Sequence, residues 1–193
     1  MTPLARSFYS RPTIEVAREL LGKIIEHEKC SGRIIETEAY LGEGDLAAHS
    51  AHGPTARTRV IFGPPGHAYV YFIYGMYECL NLIAEPPGVA GCVLIRALEP
   101  LGGIERMRER RPAARRVEDL ANGPGKLTRA LAIKLKHNGA DLTRGPIRVF
   151  VDENPPRFEI GVSSRIGITK SADLPLRFYV RGSAFVSRRP SVG

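Results

Sequence analysis

Two glutamates and a tyrosine alternate along one short stretch of the chain, at Glu36, Glu38 and Tyr40. The stretch starts with two isoleucines and then alternates in polarity, which predicts a β-strand. Side chains two residues apart lie on the same face of a strand, so both carboxylates and the phenol should point the same way. A carboxylate beside an aromatic ring suits the binding of a planar ligand and the activation of a water molecule.

A glycine loop and an imidazole follow this strand. Residues 42–45 contain two glycines that end the strand, and residues 46–49 predict a short helical turn that ends at His49. Such a turn would bring the imidazole back toward the end of the strand. If the glutamate face is exposed to solvent, the same residues form an ordinary polar edge, and residue types alone leave both interpretations open.

A metal-dependent nuclease is another interpretation of the same residues. Glu36, Glu38 and Asp45 would supply carboxylates, and His49 and His52 have an HxxH spacing. An HxxH pair without a third placed ligand is weak evidence for a metal site. The chain has three cysteines and no CxxC pattern, which favours reduced thiols over a zinc site or a disulfide framework. We therefore expect no metal ion and no cofactor.

The elements before the glutamate strand predict a helix and a hairpin. The helix should begin at an N-cap residue, Thr13, and stop at Gly22. A strand over residues 23–28 and a turn over residues 29–32 would then form a hairpin with the glutamate strand, residues 33–40. The hairpin would hold the glutamates in a sheet.

A nearly continuous apolar segment, residues 89–98, predicts a central strand. Arg96 is its one charged residue, and a guanidinium in a core strand must be paired. We expect its partner to be Glu38, either directly or through a water molecule.

A tyrosine-rich hairpin is predicted from strands at 68–74 and 78–84. Tyr74 and Met76 fall at its tight turn, where exposure of large apolar side chains is unfavourable. Either the tip packs into the core, or it is a wedge that enters an apolar partner such as a stack of bases.

The remaining segments supply further strands, helices and cations. Arg57 and Arg59 lie in a loop at the spacing of an extended segment, and they are candidate phosphate contacts. Lys126 follows an NGPG sequence that leads into a helix, whose N-terminal amides also favour a phosphate. The other predicted elements are a helix at 103–111 and strands at 145–151, 161–168 and 176–186.

Composition limits the kind of protein and its partners. A chain of 193 residues is large enough for one domain with its own core, and we expect residues 1–193 to form a single domain. Its net charge of +8 favours an anionic partner, nucleic acid above all. No apolar run has the length of a membrane span and no signal sequence is apparent, so we expect a soluble intracellular protein that does not bind membranes.

Six motifs in this order resemble the alkyladenine DNA glycosylase family, the 3-methyladenine DNA glycosylases of the mammalian type. The resemblance runs from Leu4 to Ser187 and is weakest over residues 141–173. The motifs are ETEAY, AAHS, YVYFIYGMYECLN, LIRALEP, NGPGKL and LRFYVRGS. The resemblance implies an α+β fold, a single domain with a curved antiparallel sheet flanked by helices and a protruding hairpin that intercalates into DNA.

The resemblance also implies roles for individual residues. Glu38 would be the general base, and Arg96 would help to hold the attacking water together with the main-chain carbonyl of Ile166. Tyr74 would be the intercalating residue. The base pocket would be formed by Tyr40, His49, Tyr71 and Asn81, the last of which would exclude ordinary guanine.

The implied function is base-excision repair of double-stranded DNA that contains damaged purines. The lesions would be of the 3-methyladenine, 7-methylguanine, hypoxanthine and ethenoadenine type, and the enzyme would hydrolyse the N-glycosidic bond without lyase activity. We expect a monomer, located in the cytoplasm at the nucleoid of a prokaryote or in the nucleus of a eukaryote. A basic nucleic-acid-binding module without catalysis is the alternative from another class, and it would not need Glu38.

Overall fold

One antiparallel sheet forms the centre of the computed structural model, which describes residues 1–73 and 75–187. The sheet curls into a half-barrel, and its strand order is β3-β4-β5-β2-β1-β6, with β8 also paired to β2 and β7 paired to β8. The strands are β1 (Ile24–His27), β2 (Cys30–Leu41), β3 (Ala68–Ile73), β4 (Tyr77–Ile83), β5 (Gly91–Gly102), β6 (Arg148–Phe150), β7 (Ile160–Ser163) and β8 (Arg177–Val180).

Short helices pack against this sheet and complete the core. The α-helices are α1 (Arg6–Tyr9), α2 (Thr13–Glu19), α3 (Ile104–Arg110) and α4 (Pro124–Ala130), and 3₁₀ turns cover Arg59–Phe62, Val117–Asp119 and Leu135–His137. Buried leucine, isoleucine and valine side chains of α2, β2, β4 and β5 form one hydrophobic cluster with α4. The predicted α+β fold with a curved antiparallel sheet is therefore confirmed. None of the helices in the described ranges is long and apolar enough to cross a membrane.

The two longest strands, β2 and β5, pair with an irregular register. The pairing runs Ile34 to Leu98, Glu36 to Ala97 and Thr37 to Ile95, so that Ile35 of β2 and Arg96 of β5 have no directly opposed partner. An extra residue of this kind is a β-bulge, which bends the strand and re-aims a side chain. The bulges fall where the glutamates of β2 meet the arginine of β5.

Helix α2 is present as predicted, but it begins one residue earlier and ends at Glu19, before the predicted stop at Gly22. Pro12 is the N-cap and Thr13 is the first helical residue. The backbone N–H and the hydroxyl of Thr13 both donate to Oε1 of Glu85, at 2.6 and 2.9 Å. The predicted capping role of Thr13 is wrong because a carboxylate from a distant loop satisfies the free helix end.

The first hairpin has a tighter turn than predicted. Strand β1 ends at His27 and β2 already begins at Cys30, so the loop contains only Glu28 and Lys29. Both have positive φ, 48° and 63°, as a two-residue hairpin turn with the twist of its strands requires.

Several other predicted bounds are wrong. The strands expected over 145–151, 161–168 and 176–186 correspond to the short strands β6, β7 and β8, and β7 begins one residue before its predicted range. Residues 46–49 form successive turns rather than a helical turn, and Arg59 opens a 3₁₀ turn rather than an extended segment. The strand predicted over 89–98 is present as β5, Gly91–Gly102, which begins and ends later than predicted. Its central position is confirmed, since β5 lies between β4 and β2. Tyr74 lies outside the described residues.

Candidate active site

A cavity of about 460 Å³ lies against the face of β2, β3, β4 and β5. Five of the residues singled out in the sequence line it together: Tyr40, His49, Tyr71, Asn81 and Arg96. They come from four strands and one loop, and only the sheet brings them together. The other lining residues are Ala47, Tyr69, Ile73, Tyr77, Cys79, Cys92, Leu94, Pro124, Gly125 and 166–168.

Glu38 lies directly behind this lining and is fully buried. Its Oε1 accepts the backbone N–H of Ile166 at 2.7 Å. Its Oε2 accepts the hydroxyl of Tyr40 at 3.0 Å and Nη1 of Arg96 at 3.2 Å. All three donors are residues of the cavity lining, so the carboxylate is connected to the cavity by each of them.

Burial raises the pKa of Glu38 above its ordinary value. The charge of Arg96 and the hydrogen bonds from Ile166 and Tyr40 favour the ionised form, but removal of the carboxylate from water outweighs them. A carboxylate with a raised pKa is a stronger base once it is ionised, and such groups concentrate at functional sites.

Arg96 is shared by two buried carboxylates, and this was not predicted. Its Nε donates to Oε1 of Glu36 at 2.9 Å, while Nη1 reaches Glu38 as described above. Glu36 also accepts Nε of Arg177 at 2.8 Å and both the backbone N–H and the hydroxyl of Ser187, at 2.6 and 2.8 Å. Two guanidinium groups thus balance two carboxylates behind the cavity. The expected pairing of Arg96 with Glu38 is present, and Glu36 is its second and closer partner.

Aromatic rings form the walls of the cavity. The rings of His49 and Tyr71 meet edge to face with centroids 4.7 Å apart, and Tyr69 lies beside Tyr71 with centroids 5.3 Å apart. Nδ1 of His49 lies 2.9 Å from the hydroxyl of Tyr69, which fixes the plane of the imidazole. Burial, and secondly the positive charge of Arg57, lower the pKa of His49, so its ring is neutral at pH 7.

Asn81 is held by two neighbours at the inner end of the cavity. Its Nδ2 donates to the carbonyl of Tyr69 at 3.4 Å, and the thiol of Cys92 donates to its Oδ1 at 3.7 Å. Burial raises the pKa of Cys92 to about 12, so this sulfur stays protonated as a donor. Tyr69 and Cys92 were not identified in the sequence, where nothing local marks them as partners of His49 and Asn81.

The candidate phosphate contacts lie at different distances from the cavity. Arg57 is exposed, and its guanidinium lies 5.3 Å from the centre of the Tyr71 ring, so it stands next to the cavity wall. Arg59 is exposed and is not among the described residues that line the cavity. Lys126 directly follows Gly125, which lines the cavity, and its Nζ donates to Oδ1 of Asn122 at 2.7 Å.

The hairpin of β3 and β4 exposes large apolar side chains beside the cavity. Phe72 and Met76 are 48% and 63% exposed, and Tyr77 lies partly on α4. A side chain at Gly125 of α4 would place its Cβ 2.8 Å from the Tyr77 ring, so glycine is needed for this contact. Tyr74 itself lies outside the described residues, and its role stays a prediction.

Comparison with known proteins gives a consistent result over almost the whole chain. A family model described as methylpurine-DNA glycosylase matches residues 7–184. A putative 3-methyladenine DNA glycosylase of Methanoculleus marisnigri is 50% identical over 192 residues, which cover 96% of this chain and 99% of the relative. Proteins of the same description from Koribacter versatilis and Mesorhizobium japonicum are 50% and 51% identical, and the aligned segments cover 97% and 96% of this chain and 94% and 90% of the relatives. The chain therefore belongs to the methylpurine-DNA glycosylase family.

Proposed function

We propose that this protein is a monofunctional DNA glycosylase that flips a damaged purine out of duplex DNA and hydrolyses its N-glycosidic bond. The substrates are of the 3-methyladenine, 7-methylguanine, hypoxanthine and ethenoadenine type. The observation that carries the proposal is Glu38, a fully buried carboxylate whose three hydrogen-bond donors all line the cavity. Family membership supports a DNA substrate with alkylated bases.

A base inside a duplex is out of reach of this carboxylate, so the nucleotide has to leave the stack. Extrusion costs a few kcal/mol, and less when the base is damaged or poorly paired. The flipped purine would lie between the ring of Tyr40 on one side and those of His49 and Tyr71 on the other. A cavity of about 460 Å³ with aromatic walls accommodates a planar purine.

Glu38 acts in the proposal as the general base. It takes a proton from water as the water oxygen bonds to C1′ of the sugar, and the electron pair of the glycosidic bond leaves with the base. Arg96 and the main-chain carbonyl of Ile166 orient that water. Help of this kind contributes about 10²–10⁴-fold to the rate.

Hydrolysis by water leaves an abasic site and an intact strand. A glycosylase that also nicks DNA forms a Schiff base through an amine, and none of the described residues that line the cavity is a lysine. The proposal is therefore hydrolysis without lyase activity.

Duplex DNA is the proposed partner, and the protein acts as a monomer wherever the chromosome lies. The net charge of +8 attracts the phosphate backbone, and Arg57, Arg59 and Lys126 are the proposed contacts. Affinity for undamaged duplex should fall with salt at a log–log slope of about −0.9 per neutralised phosphate, and removal of each contact should reduce the slope by about one unit. An affinity independent of salt would exclude this mode of binding.

Tyr74 is proposed to fill the space that the flipped base vacates. A stacked aromatic side chain contributes about 1–3 kcal/mol, so Tyr74→Ala should weaken flipping by that amount in a duplex. A lesion in a single strand has no vacated stack, and its release should change much less. Equal losses on both substrates would contradict the intercalating role.

The direct test is a duplex with one hypoxanthine, incubated with the protein in EDTA and then treated with alkali. Release of free hypoxanthine, with strand cleavage only after alkali, is the expected result. Failure to release hypoxanthine or an alkylated purine such as 3-methyladenine would contradict the proposed activity. Cleavage before alkali would contradict only the absence of lyase activity.

The EDTA in this assay also tests the metal-dependent nuclease. Two of its candidate ligands have other partners in the structure, because Asp45 is paired with Arg165 and Glu36 with Arg96 and Arg177. No cluster of three or more His, Cys, Asp or Glu residues that could hold a metal ion occurs within residues 1–73 and 75–187. Loss of strand cleavage in EDTA, without base release in any buffer, would favour the nuclease.

A further inference from the structure

A second buried ion pair lies at the edge of the cavity, between Asp45 and Arg165. Nη1 of Arg165 donates to Oδ2 of Asp45 at 2.6 Å, and Nη2 donates to Oδ1 at 2.7 Å. The two side chains are 1% and 0% exposed, respectively. This two-pronged geometry fixes the plane of the guanidinium as well as its position.

The pair connects two segments that are far apart in sequence. Asp45 accepts the backbone N–H groups of Leu41 and Ala47, at 3.0 and 3.2 Å, and so fixes the loop after β2. Arg165 donates to the carbonyl of Ala39 at 3.0 Å and to that of Ser171 at 3.2 Å. The guanidinium of Arg165 therefore attaches the segment around residues 165–171 to the end of β2 and to the loop that follows it.

The same guanidinium supports the ring of Tyr40. Its central carbon lies 4.7 Å from the ring centroid, within the range of a cation–π contact. Tyr40 lines the cavity, whereas Arg165 does not. The guanidinium therefore supports this ring from outside the cavity and leaves the wall surface free.

The residue next to Arg165 reaches the carboxylate that acts on water. The backbone N–H of Ile166 donates to Oε1 of Glu38 at 2.7 Å. The peptide N–H of Ile166 is bonded to the carbonyl carbon of Arg165, so a displacement of Arg165 also moves this N–H. The aromatic wall and the carboxylate are thus both connected to Arg165.

We propose that Arg165, anchored by Asp45, is the positioning residue of the site, which holds the Tyr40 ring in plane and the Ile166 N–H on Glu38. The proposal rests on the proposed glycosylase function. Base stacking and water activation then depend on a single side chain that touches neither the base nor the water. Removal of its anchor should change both together.

Lysine cannot replace arginine in this role. A lysine keeps the positive charge, but it lacks the planar fork that binds both oxygens of Asp45 and stacks on the ring of Tyr40. Arg165→Lys therefore tests geometry with the charge retained. Arg33→Lys is the matched control, since Arg33 is also an ion-paired arginine, bound to the carboxylates of Glu99 and Asp152, and it does not line the cavity.

The measurement is the single-turnover rate of base release from a hypoxanthine duplex across a range of pH. Arg165→Lys should lower the maximal rate about 10- to 100-fold, the scale of a small misplacement of reacting groups. The hydrogen bond from Ile166 lowers the pKa of Glu38, so its loss should also move the acid limb of the profile to higher pH. Arg33→Lys should change neither the rate nor the limb.

Thermal melting of each variant gives a temperature at which all of them are folded. Rates compared at that temperature report positioning of the site and not loss of the fold. If Arg165→Lys does not fold, Asp45→Asn provides the same test. It should lose less of the rate, and its acid limb should also move to higher pH. A folded variant with the rate and the pH limb of the wild type would overturn the proposal. A loss of rate with an unmoved limb would also overturn it. Absence of base release by the wild type would instead overturn the proposed function.

Discussion

Strand β2 carries two arginine–carboxylate clusters that differ in burial. Near its beginning, Arg33 binds Asp152 at 2.9 Å and also Glu99 of β5, and these three side chains are 15%, 13% and 30% exposed. We call this group the Arg33 cluster. Four residues form the Arg96 cluster further along the strand: Arg96, Glu36, Glu38 and Arg177, whose carboxylates are fully buried.

One carboxylate in each cluster has a shifted pKa, and the two shifts are in opposite directions. Hydrogen bonds from Arg33 lead the causes that lower the pKa of Asp152. Burial leads the causes that raise the pKa of Glu38, although the guanidinium of Arg96 lies only 3.2 Å away. Both clusters join β2 to β5, so their position in the sheet does not explain why the two pKa shifts differ in direction.

The difference shows how burial separates a structural ion pair from a candidate catalytic one. Where some water still reaches the pair, the penalty on the carboxylate is smaller than the stabilisation of its ionised form by the arginine. Where water is excluded, the penalty for a charge outweighs the attraction, and the carboxylate becomes a stronger base. Ionisation of Glu38 therefore destabilises the folded protein, whereas ionisation of Asp152 stabilises it.

The largest expected effect separates the two clusters by rate. Glu38→Gln keeps the shape of the side chain but removes the base, and base release should fall by about 10²–10⁴-fold. Glu99→Gln in the Arg33 cluster should leave the rate unchanged. Single-turnover release from a hypoxanthine duplex measures both, and lesion binding should survive in both variants. A Glu38→Gln rate close to that of the wild type would remove the distinction between the clusters.

Removal of each arginine separates the clusters by stability. Arg96→Met leaves two buried carboxylates without their shared partner, which should lower the free energy of unfolding by about 3–5 kcal/mol. Arg33→Met leaves carboxylates that water can reach, and the loss should be about 1 kcal/mol. Urea unfolding at pH 7 measures both values. Equal losses would show that the burial difference has no energetic consequence.

The smallest effect is the pH dependence of stability, and its sign differs between the clusters. Asp152 has a lowered pKa, so its contribution is present above the ordinary value of 3.8 and is lost as pH falls through the folded value. Glu38 has a raised pKa, so its ionisation destabilises the folded state as pH rises from the ordinary 4.5 through the folded value.

Two variants measure these signs directly. Relative to the wild type, Asp152→Asn should become less stable as pH rises through its window, and Glu38→Gln should become more stable as pH rises through its own. Urea titrations at several acid pH values give the two slopes. Slopes of the same sign would contradict the opposite pKa shifts.

The sequence predicted the members of the cavity better than the contacts that hold them. Alternation along residues 36–40 was sufficient to place Glu36, Glu38 and Tyr40 on one face, because strand geometry is local. The pairing of Glu36 with Arg177 and Ser187 joins residues more than a hundred positions apart. No local pattern contains that information, and the same holds for Asp45 with Arg165.

The bounds of helices and strands were predicted less well for a related reason. The central strand β5 was predicted because burial on both faces gives a continuous apolar run. The strands β6, β7 and β8 are three or four residues long, and neighbouring strands and loops decide where they end. The cap of α2 was predicted wrongly at Thr13 because its partner, Glu85, comes from a loop beyond β4.

The most direct test of the account is the pH profile of single-turnover base release from a hypoxanthine duplex. Glu38 must be ionised to take a proton from water, and burial raises its pKa above the ordinary value of 4.5. The rate should therefore fall on the acid side with a midpoint above 4.5, and Glu38→Gln should lack this limb. A midpoint at the ordinary carboxyl value, or an acid limb that persists in Glu38→Gln, would contradict the assignment of Glu38 as the buried general base.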